Sequence, residues 1–175
     1  MRYWSDVEEV DRMKKVDVER FMREAIRVAY MGIEKGQSPF GAVVVDRKTG
    51  EIVARAYNTV VKDNDPTAHA EVNAIRKAAR KLKTYNLRGY VIFSTCEPCP
   101  MCFSAIHWAN LDEVYFGATI EDAERCGFRE IKLHNREIKK LGGRRVRVRI
   151  HDGVLRDECV KMMNAWKKRK DRVRY

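Results

Sequence analysis

Two short segments gather the residues that could do chemistry. One is Thr67-Ala68-His69-Ala70-Glu71, and the other is Cys96-Glu97-Pro98-Cys99-Pro100-Met101-Cys102. Zinc takes imidazole nitrogen and thiolate sulfur, and a catalytic zinc keeps its fourth position for water. Cys99 and Cys102 lie one helical turn apart, so both sulfurs can reach one ion if a helix starts there. The positive end of that helix favours thiolates. His69 supplies a third ligand, and the position left open holds water whose pKa falls from 15.7 to about 7. Glu71, two residues past His69, faces that water as a proton shuttle and not as a ligand. The expected metal is therefore one Zn2+ per chain on His69, Cys99 and Cys102, with Glu71 as the catalytic residue. The alternative is a closed structural site with Cys96 as fourth ligand, which leaves Glu71 without a task.

Such side chains need rigid elements behind them. Val18, Phe21, Met22, Ala25, Ile26, Ala29 and Ile33 recur at three and four, a helix from Asp17 that Gly36 ends. Residues 41–45 form a short apolar run, 46–50 carry turn chemistry and 51–57 return, so a hairpin is expected. Thr67 is placed as the N-cap of a helix over 68–83. A strand over 90–94 precedes the cysteine loop, and a helix runs from about 99 to 109. A strand over 113–116, a helix over 131–141, an edge strand over 144–150 and a terminal helix over 157–172 complete the pattern. Strands alternating with helices imply an α/β fold with one sheet covered on both faces. Residues 1–16 are weakly patterned and read as an N-terminal extension, with 17–175 as a single domain.

The chain has 175 residues, enough for one hydrophobic core, and no apolar run long enough to span a bilayer. The first ten residues do not form a basic segment followed by an apolar one, so a cytoplasmic location is the expectation. Five cysteines, three of them at 96, 99 and 102, fit metal chemistry in a reducing compartment better than a disulfide framework. Cys126 and Cys159 read as structural. The net charge is +11, with basic runs at 76–83, 144–149 and 167–174. Two accounts stand: attraction to a polyanion such as RNA, or solvated helix faces. The second is preferred, because no aromatic residues are interleaved with the runs as stacking platforms.

His69-x-Glu71 followed by Pro98-Cys99-x-x-Cys102 resembles the signature of zinc nucleobase deaminases. Over residues 17–130 the sequence is similar to the cytidine deaminase-like superfamily, and most to its bacterial guanine deaminase branch. The stretches that carry this are Pro39-Phe40-Gly41-Ala42-Val43, Asn64 to Val72 and Cys96 to Cys102. Ile106-x-Trp108-Ala109 and Asp122-Ala123-x-x-x-Gly127-Phe128 favour guanine deaminases over tRNA-specific adenosine deaminases. The resemblance implies a three-layer α/β/α sandwich with a mixed five-stranded sheet. It also implies hydrolytic deamination, with zinc-bound hydroxide attacking the amino-bearing carbon. Guanine to xanthine plus ammonia is the leading expectation, tRNA adenosine to inosine the first rival, and cytosine or dCMP deamination or a nonenzymatic RNA-binding relative the weaker ones.

Residue by residue, the resemblance has Asn58 hydrogen-bonding the purine, though an Asn there also suits a strand-end turn. Phe40 and Trp108 would wall the base pocket or sit in the core. Where the resembling enzymes carry an Asp soon after Gly-Phe, this chain has Arg129-Glu130. Glu130 could accept from guanine N1–H and the 2-amino group, or be a surface residue. Tyr175, nine residues past Trp166, is a lid residue in a homodimer domain-swapped through the tail, or a frayed end. His107, His134 and His151 lack ligand spacing.

Overall fold

The computed structural model describes residues 15–173, with side chains from Asp17 onward. Helix α1 (Lys15–Glu34) leads into strands β1 (Gly41–Asp46) and β2 (Ile52–Tyr57), then a single turn α2 (Val60–Asp63) and helix α3 (Ala70–Leu82). Strand β3 (Tyr90–Cys96), helix α4 (Pro100–Trp108), strand β4 (Glu113–Ala118) and helices α5 (Ile120–Cys126) and α6 (Asn135–Gly142) follow. Strand β5 (Arg149–His151) and helix α7 (Arg156–Lys167) close the described chain. The sheet order is β2-β1-β3-β4-β5. β1 runs antiparallel to β2 and to β3, while β3, β4 and β5 are parallel. This is the expected mixed five-stranded sheet covered by helices on both sides.

Alternate residues of the central strands feed opposite layers, because successive side chains of a strand point to opposite faces. Val43, Val45, Val91, Phe93 and Tyr115 meet α1 and α7 through Phe21, Met22, Met163 and Trp166. Ala42, Val44, Ile92, Val114 and Phe116 meet α3 and α4 through Ala70, Ala74, Phe103 and Ile106. Strands buried on both faces read as unbroken apolar runs, which is how β1 and β3 appear in the sequence. Two glycines let helices lie close on the sheet. A Cβ on Gly41 would stand 2.3 Å from the Ala25 carbonyl oxygen of α1, and one on Gly117 would stand 2.3 Å from Cys159 Sγ of α7. Cys159 and Cys126 are buried and make no disulfide.

Several expectations are corrected. The helix carrying Glu71 starts at Ala70, and its N-cap is His69. Thr67 is not the cap, because its hydroxyl and backbone N–H both donate to Asp65 Oδ1. Residues 144–150 do not form one strand. Gly143–Arg145 is a turn of 3-10 helix, and only Arg149–His151 pairs with β4. The alternation still works for packing, since Val146 and Val148 turn onto the α3–α4 layer. Helix α6 starts four residues later than expected, at Asn135, and α7 ends at Lys167. Helix α5 was not anticipated. The proposed extension over 1–16 lies outside the described residues apart from the start of α1. No described helix is long and apolar enough to cross a membrane.

Candidate active site

The end of β3 delivers the chain into Glu97-Pro98-Cys99, and α4 starts at once with Pro100 in its first turn, where a missing N–H costs nothing. His69 and Cys99 are the N-caps of α3 and α4. Both have extended backbone, and neither side chain caps its own helix. N-cap side chains usually satisfy free backbone N–H groups, but here both turn toward a shared point. His69 Nδ1 is 3.7 Å from Cys99 Sγ and 3.5 Å from Cys102 Sγ. Bonds of ~2.0–2.1 Å to nitrogen and ~2.3 Å to sulfur at tetrahedral angles put N and S about 3.6 Å apart. The three donors therefore already stand at the edges of a zinc tetrahedron. They form the one His/Cys/Asp/Glu group with metal-holding geometry among the described residues. Cys96 is not in it, since its thiol donates to the Thr119 carbonyl at 3.5 Å. A fourth protein ligand is absent from this group, as an open catalytic site requires.

The three donors differ in their electrostatics. A hydrogen bond from Cys102 holds the Cys99 thiol down to about 4, with burial opposing and His69 and the Cys102 backbone N–H assisting. The same hydrogen bond, together with burial, pushes the Cys102 thiol well up. Burial works against protonating His69, but the bond to Cys99 and the charge of Glu71 outweigh it and raise its pKa.

Glu71 sits in the first turn of α3, 6% exposed, and faces the ligands. Ser94 Oγ of β3 donates to its Oε1 at 2.9 Å, and Cys102 Sγ lies 3.4 Å from its Oε2. Burial raises its pKa, and the Cys99 charge adds to the effect. A carboxyl tuned upward holds a proton more readily, as a group that shuttles one must.

These groups line one pocket with Phe40, Asn58, Pro66, Glu97, Phe128 and Glu130. Asn58 is buried, and its amide oxygen accepts from Val60 N–H at 3.1 Å, so it serves the strand-end turn while facing the pocket. The Phe40 ring meets Phe128 edge-on at 4.7 Å, and Phe128 stacks on Trp166 of α7 at 4.9 Å. Burial pushes the Glu130 carboxyl up to about 7, with the Cys99 charge as the next cause. Trp108 does not wall this pocket. It is 76% exposed at the far end of α4, one helix length from the ligands. Tyr175 lies outside the described residues.

A latch between two loops was not foreseen. Glu97 is buried, and its Oε1 accepts from Asn135 N–H at 2.9 Å while its Oε2 stands 3.0 Å from His134 Nδ1. Asn135 Nδ2 donates to the Pro98 carbonyl at 2.6 Å. The segment carrying Phe128, Arg129 and Glu130 is thereby fastened to the cysteine loop at its C-terminal end. At its other end, Gly127 closes α5 in the left-handed region, with φ of 99°. The sequence carried no signal for the latch beyond a Glu between Cys96 and Pro98; the burial that demands partners for it emerges only in the fold.

A covered mixed sheet whose two converging helix N-termini offer one His, two Cys and a buried Glu defines a zinc-dependent hydrolase. The cytidine and deoxycytidylate deaminase zinc-binding region matches residues 15–118, and the chain belongs to this deaminase family. Its relatives are hydrolases acting on C–N bonds. The chain is 45% identical to the guanine deaminase of Bacillus subtilis over 123 residues, covering 70% of this chain and 77% of that protein. It is 33% identical to a tRNA-specific adenosine deaminase of Buchnera aphidicola over 150 residues, covering 86% and 93%. The guanine deaminase of Nitrosomonas europaea superposes with a TM-score of 0.78 at 27% identity, covering 85% of this chain and 84% of that one.

Proposed function

We propose that this deaminase converts guanine and water to xanthine and ammonia. The observation that carries the substrate is Glu130, on the wall of the same pocket as His69 and Glu71. Guanine presents N1–H and a 2-amino group as adjacent donors for such a carboxylate, and adenine has no such pair. The upward push on Glu130 comes partly from the Cys99 thiolate, whose charge a bound cation would offset. The 45% identity to the Bacillus guanine deaminase supports the same reading.

His69, Cys99 and Cys102 would hold a zinc ion, which when bound would supply a Lewis acid that activates water. Glu71 takes one proton from the attacking water and passes it to a ring nitrogen of the base; it then takes the second from the hydroxyl added to the carbon and gives it to the amine as the C–N bond breaks, releasing ammonia and leaving the carbonyl. Ser94 fixes the carboxylate through its hydroxyl. Phe40 and Phe128, packed edge to face, form an apolar wall for the flat base and exclude water, and Asn58 faces the same pocket with its oxygen engaged by Val60. The rival substrate is tRNA adenosine, which the broad coverage of the Buchnera relative favours. Ammonia release from guanine, guanosine, adenine, cytosine and dCMP, run beside inosine formation in tRNA, separates the two. Turnover of guanine alone is the expected result. Inosine in tRNA with no small-molecule turnover would overturn the proposal.

A further inference from the structure

The far end of α4 carries a second concave surface, remote from the catalytic pocket. Its principal walls are Arg88, Trp108, Arg144, Arg145 and Arg147. Helix α4 has nine residues, so about 13 Å of helix separates this groove from the metal ligands at its start. Elsewhere most surface arginines are neutralised: Arg23, Arg27, Arg55, Arg76, Arg136, Arg156 and Arg169 all pair with carboxylates. Arg88, Arg144, Arg145 and Arg147 are exposed, and none of them has an ion pair with a described residue. Asp112 also lines the groove, but its carboxylate already accepts from Gly89 N–H at 3.2 Å and stands 3.8 Å from Arg47. Four guanidiniums around a groove whose one lining carboxylate is already engaged leave it positively charged, and a polyanion offsets that charge.

Trp108 selects among polyanions. Its 76% exposed ring stands in the groove, tilted against His107 with the ring centres 5.2 Å apart. Large exposed aromatic rings beside arginines are the stacking platforms of single-stranded nucleic acid sites. The basic run over 144–149 contains no aromatic residue in sequence. The fold supplies one from another segment, which a linear pattern cannot reveal.

We propose that this groove binds single-stranded RNA, with the arginines on successive phosphates and a base stacked on Trp108, independently of the deaminase pocket. The test is fluorescence anisotropy of a labelled twelve-nucleotide oligouridine with the zinc-loaded full chain. Four phosphate contacts predict a slope near −3 for log affinity against log salt, or about a 50-fold loss between 50 and 200 mM salt. The triple variant Arg144→Ser, Arg145→Ser, Arg147→Ser should flatten that slope by about 2 while leaving ammonia release from guanine unchanged. Trp108→Ala should weaken binding at least about fivefold, the lower range for one stacked base. Three results would each overturn the proposal: no binding at 50 mM salt, binding indifferent to the triple variant, or binding indifferent to Trp108→Ala. So would sedimentation showing a dimer in which Trp108 is shielded from acrylamide. Because activity is read separately, a wrong guanine assignment leaves the binding result interpretable.

Discussion

Glu113 opens β4 at the end of the sheet away from the zinc ligands, nearly fully buried, and four groups converge on its carboxylate. Arg149 Nη2 is 2.8 Å from Oε1, Arg47 Nε is 2.9 Å from the same oxygen, His151 Nε2 is 2.6 Å from Oε2, and the Tyr115 hydroxyl donates to Oε2 at 3.0 Å. Burial raises its pKa, but the bonds from His151, Arg149 and Tyr115 win and bring it down to about 2 from 4.5. A depressed folded-state pKa means that the stabilisation is fully present above pH 4.5 and is lost as pH falls toward 2. The whole shift corresponds to about 3 kcal/mol, of which about 2 kcal/mol is gone at pH 3. Glu113→Gln does not titrate, so its unfolding free energy should fall between pH 6 and pH 3 by about 2 kcal/mol less than that of the parent. Urea unfolding at the two pH values measures both differences. Zinc leaves both proteins in acid, and the other carboxylates titrate in both, so those contributions cancel. Equal losses in parent and variant would refute the claim that this cluster stores pH-dependent stability.

Three further outcomes concern the catalytic pocket. Glu71→Gln should keep one zinc per chain and lose turnover by roughly 10²–10⁴, the usual worth of a positioned acid–base group; near-parental kcat would remove Glu71 from the proton path. Cys99→Ala should lower the zinc content measured by elemental analysis, and undiminished stoichiometry at the site would exclude that ligand. Glu97→Gln should retain zinc but raise KM more than it lowers kcat, because the latch on His134 and Asn135 loosens and Glu130 drifts. An unchanged KM would reduce the latch to a packing feature.

Much of this was legible from residue spacing because zinc chemistry is local. His69, Glu71, Cys99 and Cys102 sit at helix starts, and two short segments carry the whole donor set. The boundary error at Thr67 has a chemical cause. His69 holds a cap position that sequence rules assign to Ser, Thr, Asp or Asn, and it forgoes capping to serve the metal group. Helix α5 is seven residues long, too short for apolar periodicity, though Thr119-x-x-Asp122 forms a capping box that could have revealed it. The Arg-Val alternation over 144–149 has strand period, yet only its end reaches β4, since alternation reports which side is buried and not whether a neighbouring strand is in reach. Trp108 was misplaced because an aromatic near a cysteine helix looks the same in sequence whether it faces the pocket or the opposite end.

The family's zinc-binding region ends at residue 118, at the close of β4, while Phe128, Arg129 and Glu130 enter the pocket from beyond it. The candidate zinc ligands and one wall of the pocket therefore come from different stretches of one chain, joined at Glu97, Pro98, His134 and Asn135. The second stretch contributes none of the metal-holding residues. A lineage built this way can inherit one unchanged hydrolytic engine and acquire new substrates by editing a dozen downstream residues.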